Sequence, residues 1–597
     1  MTKLVSRLPV FIPSLIVAVG LLGAVACGAQ EAAPTATATT PPQATATSTP
    51  VPTVGGPAPT PTTSTGGVVA TPTPTATATP APVAAEKPKR GGIVKQSTGE
   101  DPPSWDGPTV PSSAHSVHTS KVYSNLLWNP RGSEIVPDAA ESYSVSGDGK
   151  VWTFKLRPNV KFQTGYKPAH PRDGTTMTSR DVKWSLEKIM GLSGDLLSVR
   201  CGWMKEFIDI DRPDNGLEVV DELTLNVHLI QPFPGLADIL VVGNCSLVPD
   251  GITTKDLQQR PYGAGAFRVK SFQRGAIWQY ERNPDYFKPG LPYLDGWDLV
   301  LMDGTAIVQA AFLTGKVDLS AGNPTEDNKS TFDARVKAGA IYMQRYGTGC
   351  RPAGIYMNSL KPPFNNLKLR QAVNLALDRK AWSKVVNNGY DEPTLFLDTG
   401  GWGRSVDEIL KLPGWREPHD ADVAEAKKIV SELYPSGLDL KMMVRNTGTY
   451  PLGAEFASGE LKKIGINTTL ELQDSNKVLD RALKVDYIIW NYWACQTTGT
   501  PEELFGSYFS SGGSRNYYGV SDPRIDNGYL DMAATSDPAQ RRQKAIAMEQ
   551  VILDLLPVAS APVSTSFRNA YSYVRDVPIT TTFYNWDKGE LVWRSDA

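Results

Sequence analysis

Val151-Trp152-Thr153-Phe154-Lys155-Leu156-Arg157 alternates large apolar side chains with polar ones, the period of a strand with one face buried and the other in water. The same pattern recurs at Leu223, Leu225, Val227 and Leu229. Between the two the period changes. Thr178 stands three residues before Asp181, the spacing of a reciprocal N-terminal cap, and Val182, Leu186 and Ile189 then fall on one helical face. Near the far end, Asp537-Pro538 with Gln540 opens a helix whose apolar stripe includes Ala545, Met548, Ile552 and Leu555. Residues 485–490 read as a short, mostly apolar strand. Strands and helices interspersed in this way define an α/β protein. No repeat at solenoid or propeller period runs through the chain.

At 597 residues the chain exceeds one ordinary domain. From 29 to 89 it is Pro, Thr, Ala, Ser and Gly with almost no large apolar residue. Such a segment cannot bury enough surface to offset its ordering entropy, so we expect disorder with polyproline-like stretches. As a flexible coil it would span about 45 Å, the behaviour of a tether. Its Thr/Pro density also permits O-glycosylation. Without leader and tether about 500 residues remain, enough for two or more lobes with large cores.

The leader decides the compartment. Lys3 and Arg7 make a basic start, residues 8–26 are almost entirely apolar, and Ala24-Val25-Ala26-Cys27-Gly28 places small residues around a cysteine. This reads as a secretory signal with a lipoprotein-type cleavage site, making Cys27 the acylated first residue of the mature chain. Ala24 stands where such sites usually carry Leu. An ordinary cleaved signal and an uncleaved anchor helix are the alternatives. All three put the body outside the cytoplasm, which excludes most ATP- and NAD-dependent chemistry. No later stretch approaches membrane-span length. A net charge of −2 and a pI near 6.3 point to neither nucleic acid nor an anionic surface. The 14 Trp and 22 Tyr can fill cores or line a ligand pocket.

With Cys27 assigned to lipid, Cys201, Cys245, Cys350 and Cys495 remain. An even number outside the cell suggests at least one disulfide. There is no CxxC, no Cys/His cluster with metal spacing and no HExxH, so no metal is expected. His115 and His118 could share a helix face, where capping or surface roles are commoner than metal binding. There is also no GxSxG elbow, P-loop or GxGxxG, and no local carboxylate pair suited to acid/base work. Distant carboxylates could still meet, as in glycosidases.

From Gly91 onward several segments occur in a telling order: Gly91-Gly92-Ile93-Val94-Lys95 with Asp101-Pro102-Pro103-Ser104-Trp105-Asp106; Ile135-Val136-Pro137-Asp138-Ala139-Ala140-Glu141; Asp148-Gly149-Lys150 before the strand above; Tyr262-Gly263-Ala264-Gly265-Ala266-Phe267; Glu281-Arg282-Asn283-Pro284-Asp285-Tyr286-Phe287; and Leu367-Lys368-Leu369-Arg370-Gln371-Ala372-Val373 through Asp378-Arg379. Read by themselves, Asn283-Pro284-Asp285 is a turn and Tyr262-Gly263-Ala264-Gly265 allows close backbone packing before a strand. Together, over residues 91 to about 567, they resemble the extracytoplasmic solute-binding proteins of ABC importers, family 5, the cluster of oligopeptide, dipeptide and nickel binders.

The resemblance implies a two-lobed periplasmic-binding-protein clamshell of type II, cluster C-like, with an extra subdomain in the first lobe. Its divisions would be a signal peptide at 1–26, a lipidated, disordered tether at 27–90, lobe I at 91–345 with the subdomain at about 130–244, lobe II at 346–560, and a return to lobe I at 561–597. Crossing strands would lie near 344–349 and 558–564. The implied protein is not an enzyme and carries no cofactor. It is a monomer, lipid-anchored on the outer face of the cytoplasmic membrane, that delivers a small solute to ABC permease subunits.

In peptide-binding members a second-lobe strand ends in a run whose aspartate pairs with the ligand ammonium. The corresponding segment here is Asp486-Tyr487-Ile488-Ile489-Trp490-Asn491-Tyr492-Trp493-Ala494-Cys495-Gln496. Cys495 or Gln496 occupies the acidic position, so a buried ammonium would lack its counter-charge. That favours a neutral, oligosaccharide-like solute over a free-amine peptide. The resemblance makes Trp490, Asn491, Tyr492, Trp493 and Gln496 ligand contacts in the second lobe, and Trp105, Tyr123 and His118 contacts in the first. It also places Cys350 and Cys495 near positions bridged in some relatives, which leaves Cys201 with Cys245. An extracellular glycosidase-like hydrolase and a ligand-sensing lipoprotein on the same clamshell are the rival functions.

Overall fold

The computed structural model describes residues 86–110, 113–132, 134–346, 350–399, 401–580 and 587–597. The signal segment, Cys27 and the tether up to residue 85 lie outside the described residues.

Val151–Leu156 is a strand as its alternation predicts, with Trp152, Phe154 and Leu156 buried. It pairs antiparallel with Ala140–Val145 on one side and Thr224–His228 on the other, and Leu217–Asp221 completes a four-stranded sheet. The helix Ser179–Ile189 carries the reciprocal cap: the Thr178 N–H donates to Asp181 Oδ2 at 2.7 Å. Its Val182, Leu186 and Ile189 are fully enclosed. Three buried apolar groups of this kind are worth about 1.5–3 kcal/mol each when removed from water, which is why a helix of 11 residues holds here without help from propensity.

The largest sheet has seven strands in the order Ile341–Tyr346, Ser566–Tyr571, Leu319–Ala321, Ile93–Thr98, Gly296–Leu301, Ile277–Arg282 and Phe267–Gln273. Ile93–Thr98 runs parallel to both its neighbours. A second sheet has five strands, ordered Ile466–Gln473, Leu438–Arg445, Ile489–Trp493, Ala353–Met357 and Val558–Ser560. Its first three strands are parallel, with the helices Tyr450–Lys463 and Ser475–Leu483 between them in sequence. Ala353–Met357 is buried along its whole length, as a central strand covered on both faces should be. At Gly354 a Cβ would lie 2.0 Å from the Ala559 carbonyl oxygen, so only glycine lets the strands close up there.

The chain passes from the large sheet to the second between Tyr346 and Ala353 and returns between Ser560 and Ser566. The return is braced by Thr565, whose N–H donates to the Tyr390 carbonyl at 2.7 Å while its own carbonyl accepts from Asn323 Nδ2 at 2.6 Å. Gly263 and Gly265 lie so close to residue 122 that a Cβ would fall 1.9 Å from the Val122 oxygen and 2.5 Å from its carbonyl carbon, respectively. This is the close backbone packing expected of that segment.

One expectation fails. Residues 485–490 are not a strand throughout; the strand is Ile489–Trp493. Val485 adopts φ +49° at the end of the preceding helix, and the Asn358 side-chain amide donates to the Val485 and Tyr487 carbonyls at 3.0 and 2.7 Å. Those bonds use the groups a ladder would need. At the far end, Asp537 accepts from the Gln540 N–H and caps the helix Pro538–Leu555. Its Ala545, Met548 and Ile552 are buried, while Leu555 is only half-buried.

Candidate functional site at the seam of the second sheet

Leu438–Arg445 and Ile489–Trp493 are parallel neighbours, so their carboxyl ends lie side by side, the place where open α/β sheets gather ligands. Period two along Ile489–Trp493 divides its side chains between the two faces: Trp490 and Tyr492 on one, Asn491 and Trp493 on the other. The Trp490 and Tyr492 rings stack at 4.0 Å, and Tyr356 and Tyr517 lie 5.1 and 5.7 Å from Trp490. Past the strand end, Tyr450 stacks on Trp493 at 4.0 Å and 7° and meets Tyr492 at 5.5 Å. Arg445 sits 4.8 Å above the Tyr450 ring, donates to its hydroxyl at 3.1 Å and also donates to Ser475 Oγ. The result is an aromatic floor with a guanidinium against it.

The loop after this strand is polar and tightly folded. Glu503 is fully buried. Its carboxylate accepts from the N–H groups of Thr497 and Thr498 at 2.6–2.8 Å, from Thr498 Oγ1 at 2.9 Å, and pairs with Arg515. Burial pushes its pKa up, but Arg515 and the Thr498 N–H outweigh that and hold it below the ordinary glutamate value. Glu502 is likewise buried and paired with Arg541, whose Nε is at 2.6 Å.

This loop meets the four-stranded region directly. Arg200 Nη1 donates to the Cys495 carbonyl at 2.7 Å, which also accepts from the Tyr508 hydroxyl at 3.1 Å. Gln231 Nε2 donates to the Leu530 carbonyl at 3.1 Å, the Tyr529 hydroxyl bonds Glu206, and the Phe207 ring meets Tyr529 edge-on at 6.4 Å. One continuous apolar cluster runs from Trp152 and Phe154 through Phe207 and Phe233 to Trp490, Tyr492 and Tyr529. The seam is therefore closed. Asp238 is caught in it: desolvation and the charge of Glu502 raise its pKa to about 6, against the pull of Arg541. Two cavities, about 410 and 250 Å³, share Trp415 and Arg416 among second-lobe helices, and no seam residue lines either.

Among the residues expected to touch a ligand, Trp490, Tyr492, Trp493 and Gln496 are brought to this seam. Only Trp493 is better than marginally exposed. Four of the residues expected to touch a ligand, Trp490, Asn491, Tyr123 and His118, have no exposed surface. Trp490 Nε1 and Asn491 Oδ1 are sealed without a hydrogen-bond partner among the described residues. Tyr123 and His118 belong to the core of the large sheet. The Tyr123 hydroxyl is spent on the Trp105 carbonyl at 2.8 Å, and both His118 ring nitrogens are engaged, with the Tyr280 hydroxyl at 2.8 Å and the Glu100 carbonyl at 3.0 Å. Desolvation lowers the His118 pKa to about 4 and that of His115 to about 3, so both rings are neutral. Trp105 packs edge-on against Trp278 at 5.7 Å and is nearly buried. Gln496 donates to the Phe396 carbonyl at 3.2 Å. Cys201 is bonded to Cys245 and Cys350 to Cys495. Among the described residues no three His, Cys, Asp or Glu side chains converge as a metal site, and no helix is long and apolar enough to cross a membrane.

Sequence reading missed Arg445, Tyr450, Tyr508 and the Glu503–Arg515 pair. The first two stand just past the carboxyl end of a parallel strand, a signal available once the strand order is known.

Comparison with known proteins agrees with this geometry. The family description "Bacterial extracellular solute-binding proteins, family 5 Middle" matches residues 134–516. The glutathione-binding protein GsiB of Pectobacterium atrosepticum is 25% identical over 440 residues, 70% of this chain and 78% of its own length. The Helicobacter pylori periplasmic binding protein DppA, solved with the peptide STSA, superposes with a TM-score of 0.72 at 20% identity, covering 85% of this chain and 98% of its own. The protein AgaA of A. tumefaciens R10, solved with agropinic acid, gives 0.69 at 24%, covering 84% and 99%. These structures share a two-lobed α/β fold with this chain. The match spans well over half of the sequence, and the chain belongs to the bacterial extracellular solute-binding proteins of family 5.

Proposed function

We propose that this protein captures a peptide-sized solute between two lobes outside the cytoplasm and hands it unaltered to an ABC permease. Residues 91–345 and 561–597 would form one lobe, 346–560 the other, and acylated Cys27 with the 27–90 tether would hold a monomeric body at the outer face of the membrane. The observation that carries this reading is the seam at the end of Ile489–Trp493. An aromatic floor lies there; across the seam Arg200 grips the neighbouring loop, and Gln231 and Glu206 grip the helix Pro523–Ala533. A clamshell works in this way: the ligand stabilises whichever state makes more contacts with it, and that must be the closed one.

A peptide-like solute now stands ahead of an oligosaccharide. The relatives are named for glutathione and peptides, and a stacked floor of Tyr450, Tyr492 and Trp493 suits the planar amides of a peptide backbone. The loop does hold carboxylates, but Glu503 and Glu502 are committed to Arg515 and Arg541, so they do not supply the counter-charge missing at Cys495 and Gln496. The same commitment weighs against a hydrolase, since neither group is placed to exchange a proton with a substrate.

Mass spectrometry of small molecules released from the purified protein tests the reading. Recovery of peptide-like compounds, rebinding of the same compounds by calorimetry and their return unchanged are expected. A chemically altered product would refute it.

A further inference from the structure

The larger of the two cavities, about 410 Å³, is walled by the helices Leu367–Ala376, Asp420–Leu433 and Pro538–Leu555, away from the seam. Its volume is that of pockets that enclose small molecules. Leu375, Leu412, Trp415, Ile429, Leu553 and Leu556 give it an apolar wall. Three charged groups line it: Arg416, Glu425 and Asp554. Arg416 is already committed. It pairs with Asp422, a buried carboxylate that also accepts the Gly414 N–H at 2.8 Å. Asp554 accepts from the neutral Gln550 amide at 2.8 Å, and no ion pair among the described residues uses either Asp554 or Glu425. The cavity thus sets two uncompensated carboxylates beside an apolar wall. The smaller cavity, about 250 Å³, carries no such excess, since Arg379 and Lys380 are matched there by Asp391 and Glu417.

The larger cavity also reaches the chain's return toward the large sheet. Ser560, the last residue of the strand Val558–Ser560, lines it. Arg379 ties the same wall together: Nε donates to the Ser560 carbonyl at 2.8 Å, Nη1 to the Asn374 carbonyl at 3.0 Å and to that of Gly414, and Nη2 to Asn374 Oδ1 at 2.6 Å. A molecule held in the cavity would touch the start of the return segment directly. We propose that this cavity binds a small organic cation with an apolar body, its ammonium drawn to Glu425 and Asp554 and its body packed on Trp415 and Ile429. Charge decides the class: an anion would meet two carboxylates and a guanidinium already in use. No seam residue takes part, and the inference does not depend on the capture function.

The test is calorimetric titration of the full chain with tryptamine, its neutral analogue tryptophol and the anion indole-3-acetate. Tryptamine should bind with a Kd below about 1 mM. It should bind about 3- to 30-fold more tightly than tryptophol, the span expected of two exposed carboxylates, with indole-3-acetate the weakest. The preference should shrink as salt is added. Glu425→Gln combined with Asp554→Asn should bring tryptamine down to the affinity of tryptophol, and Ile429→Trp, which fills the cavity, should abolish binding of both. Hydrogen exchange is the second readout and needs no variant: tryptamine should slow amide exchange at 412–429 and 550–560 and leave 489–517 unchanged. Equal binding of the three probes, no binding of tryptamine up to about 1 mM, or protection at 489–517 in place of the cavity walls would each overturn the inference and leave the capture function standing.

Discussion

Replacing Glu503 by Gln asks how firmly the loop beyond Ile489–Trp493 is held. Glu503 is enclosed, pairs with Arg515 and accepts from two backbone N–H groups and one hydroxyl. The amide keeps the shape and one acceptor oxygen, but leaves the Arg515 guanidinium buried without its counter-charge. Breaking one side of a buried pair costs about 3–5 kcal/mol. For a lobe of this size, unfolding in urea has a slope of about 2–3 kcal/mol per molar, so the midpoint should fall by about 1–2 M. Tryptophan fluorescence is the assay, since Trp490 and Trp493 adjoin the loop and report its opening. The pair is not additive. Arg515→Met should be costly alone, and the double variant should recover about 1–3 kcal/mol of the summed losses. The pH dependence has a fixed sign. Because the folded carboxyl titrates below its unfolded value, its contribution is complete above the unfolded pKa and disappears as the pH falls through the folded one. The gap between wild type and variant should therefore close in acid. Single variants whose costs simply add, or a midpoint shift below about 0.2 M, would refute this account.

Three further outcomes are expected. Asp238, raised from 3.8 to about 6, keeps its proton in the fold over a range where the unfolded chain loses it, so stability falls as pH rises from about 4 to about 6; Asp238→Asn should remove that slope and add about 3 kcal/mol at neutral pH, as read from urea midpoints across a pH series. Cys350 and Cys495 close a loop of 145 residues and Cys201 and Cys245 one of 44; opening them by Ser substitution should cost up to about 5 and about 4 kcal/mol on chain entropy alone, with the larger loss of thermal midpoint for the first pair. Gly265→Ala should lower the yield of folded protein sharply, since its Cβ would lie within 2.5–2.7 Å of backbone atoms at residues 121–123 that cannot retreat, whereas Gly275→Ala meets nothing within 4 Å and should be strained only through its φ of +72°.

Much of the architecture was legible because it is written in local periodicity. The alternation at Trp152, Phe154 and Leu156 and the Thr178–Asp181 cap need no tertiary information to be read. The strand at 489–493 was placed too early because the apolar run at 485–488 carries no sign of the Asn358 side chain that captures its carbonyls from 127 and 129 residues away. The site was legible as an aromatic run but not as a geometry. Trp490 and Trp493 read alike in sequence, and only the strand order decides that one is sealed while the other reaches the end of the floor. Glu503 was overlooked as the loop's carboxylate because it stands several residues beyond the expected position and folds back onto Thr497 and Thr498.

The placement of Ser566–Tyr571 has a consequence for biogenesis. This late strand is inserted between Ile341–Tyr346 and Leu319–Ala321 in the interior of the seven-stranded sheet, whereas the five-stranded sheet uses only residues from one uninterrupted run, Ala353 to Ser560. As the polypeptide emerges, the later-encoded half can assemble from neighbouring material alone. The earlier-encoded half must wait with an open gap until residues 566–571 arrive, and in that interval its unpaired edges are exposed to mispairing.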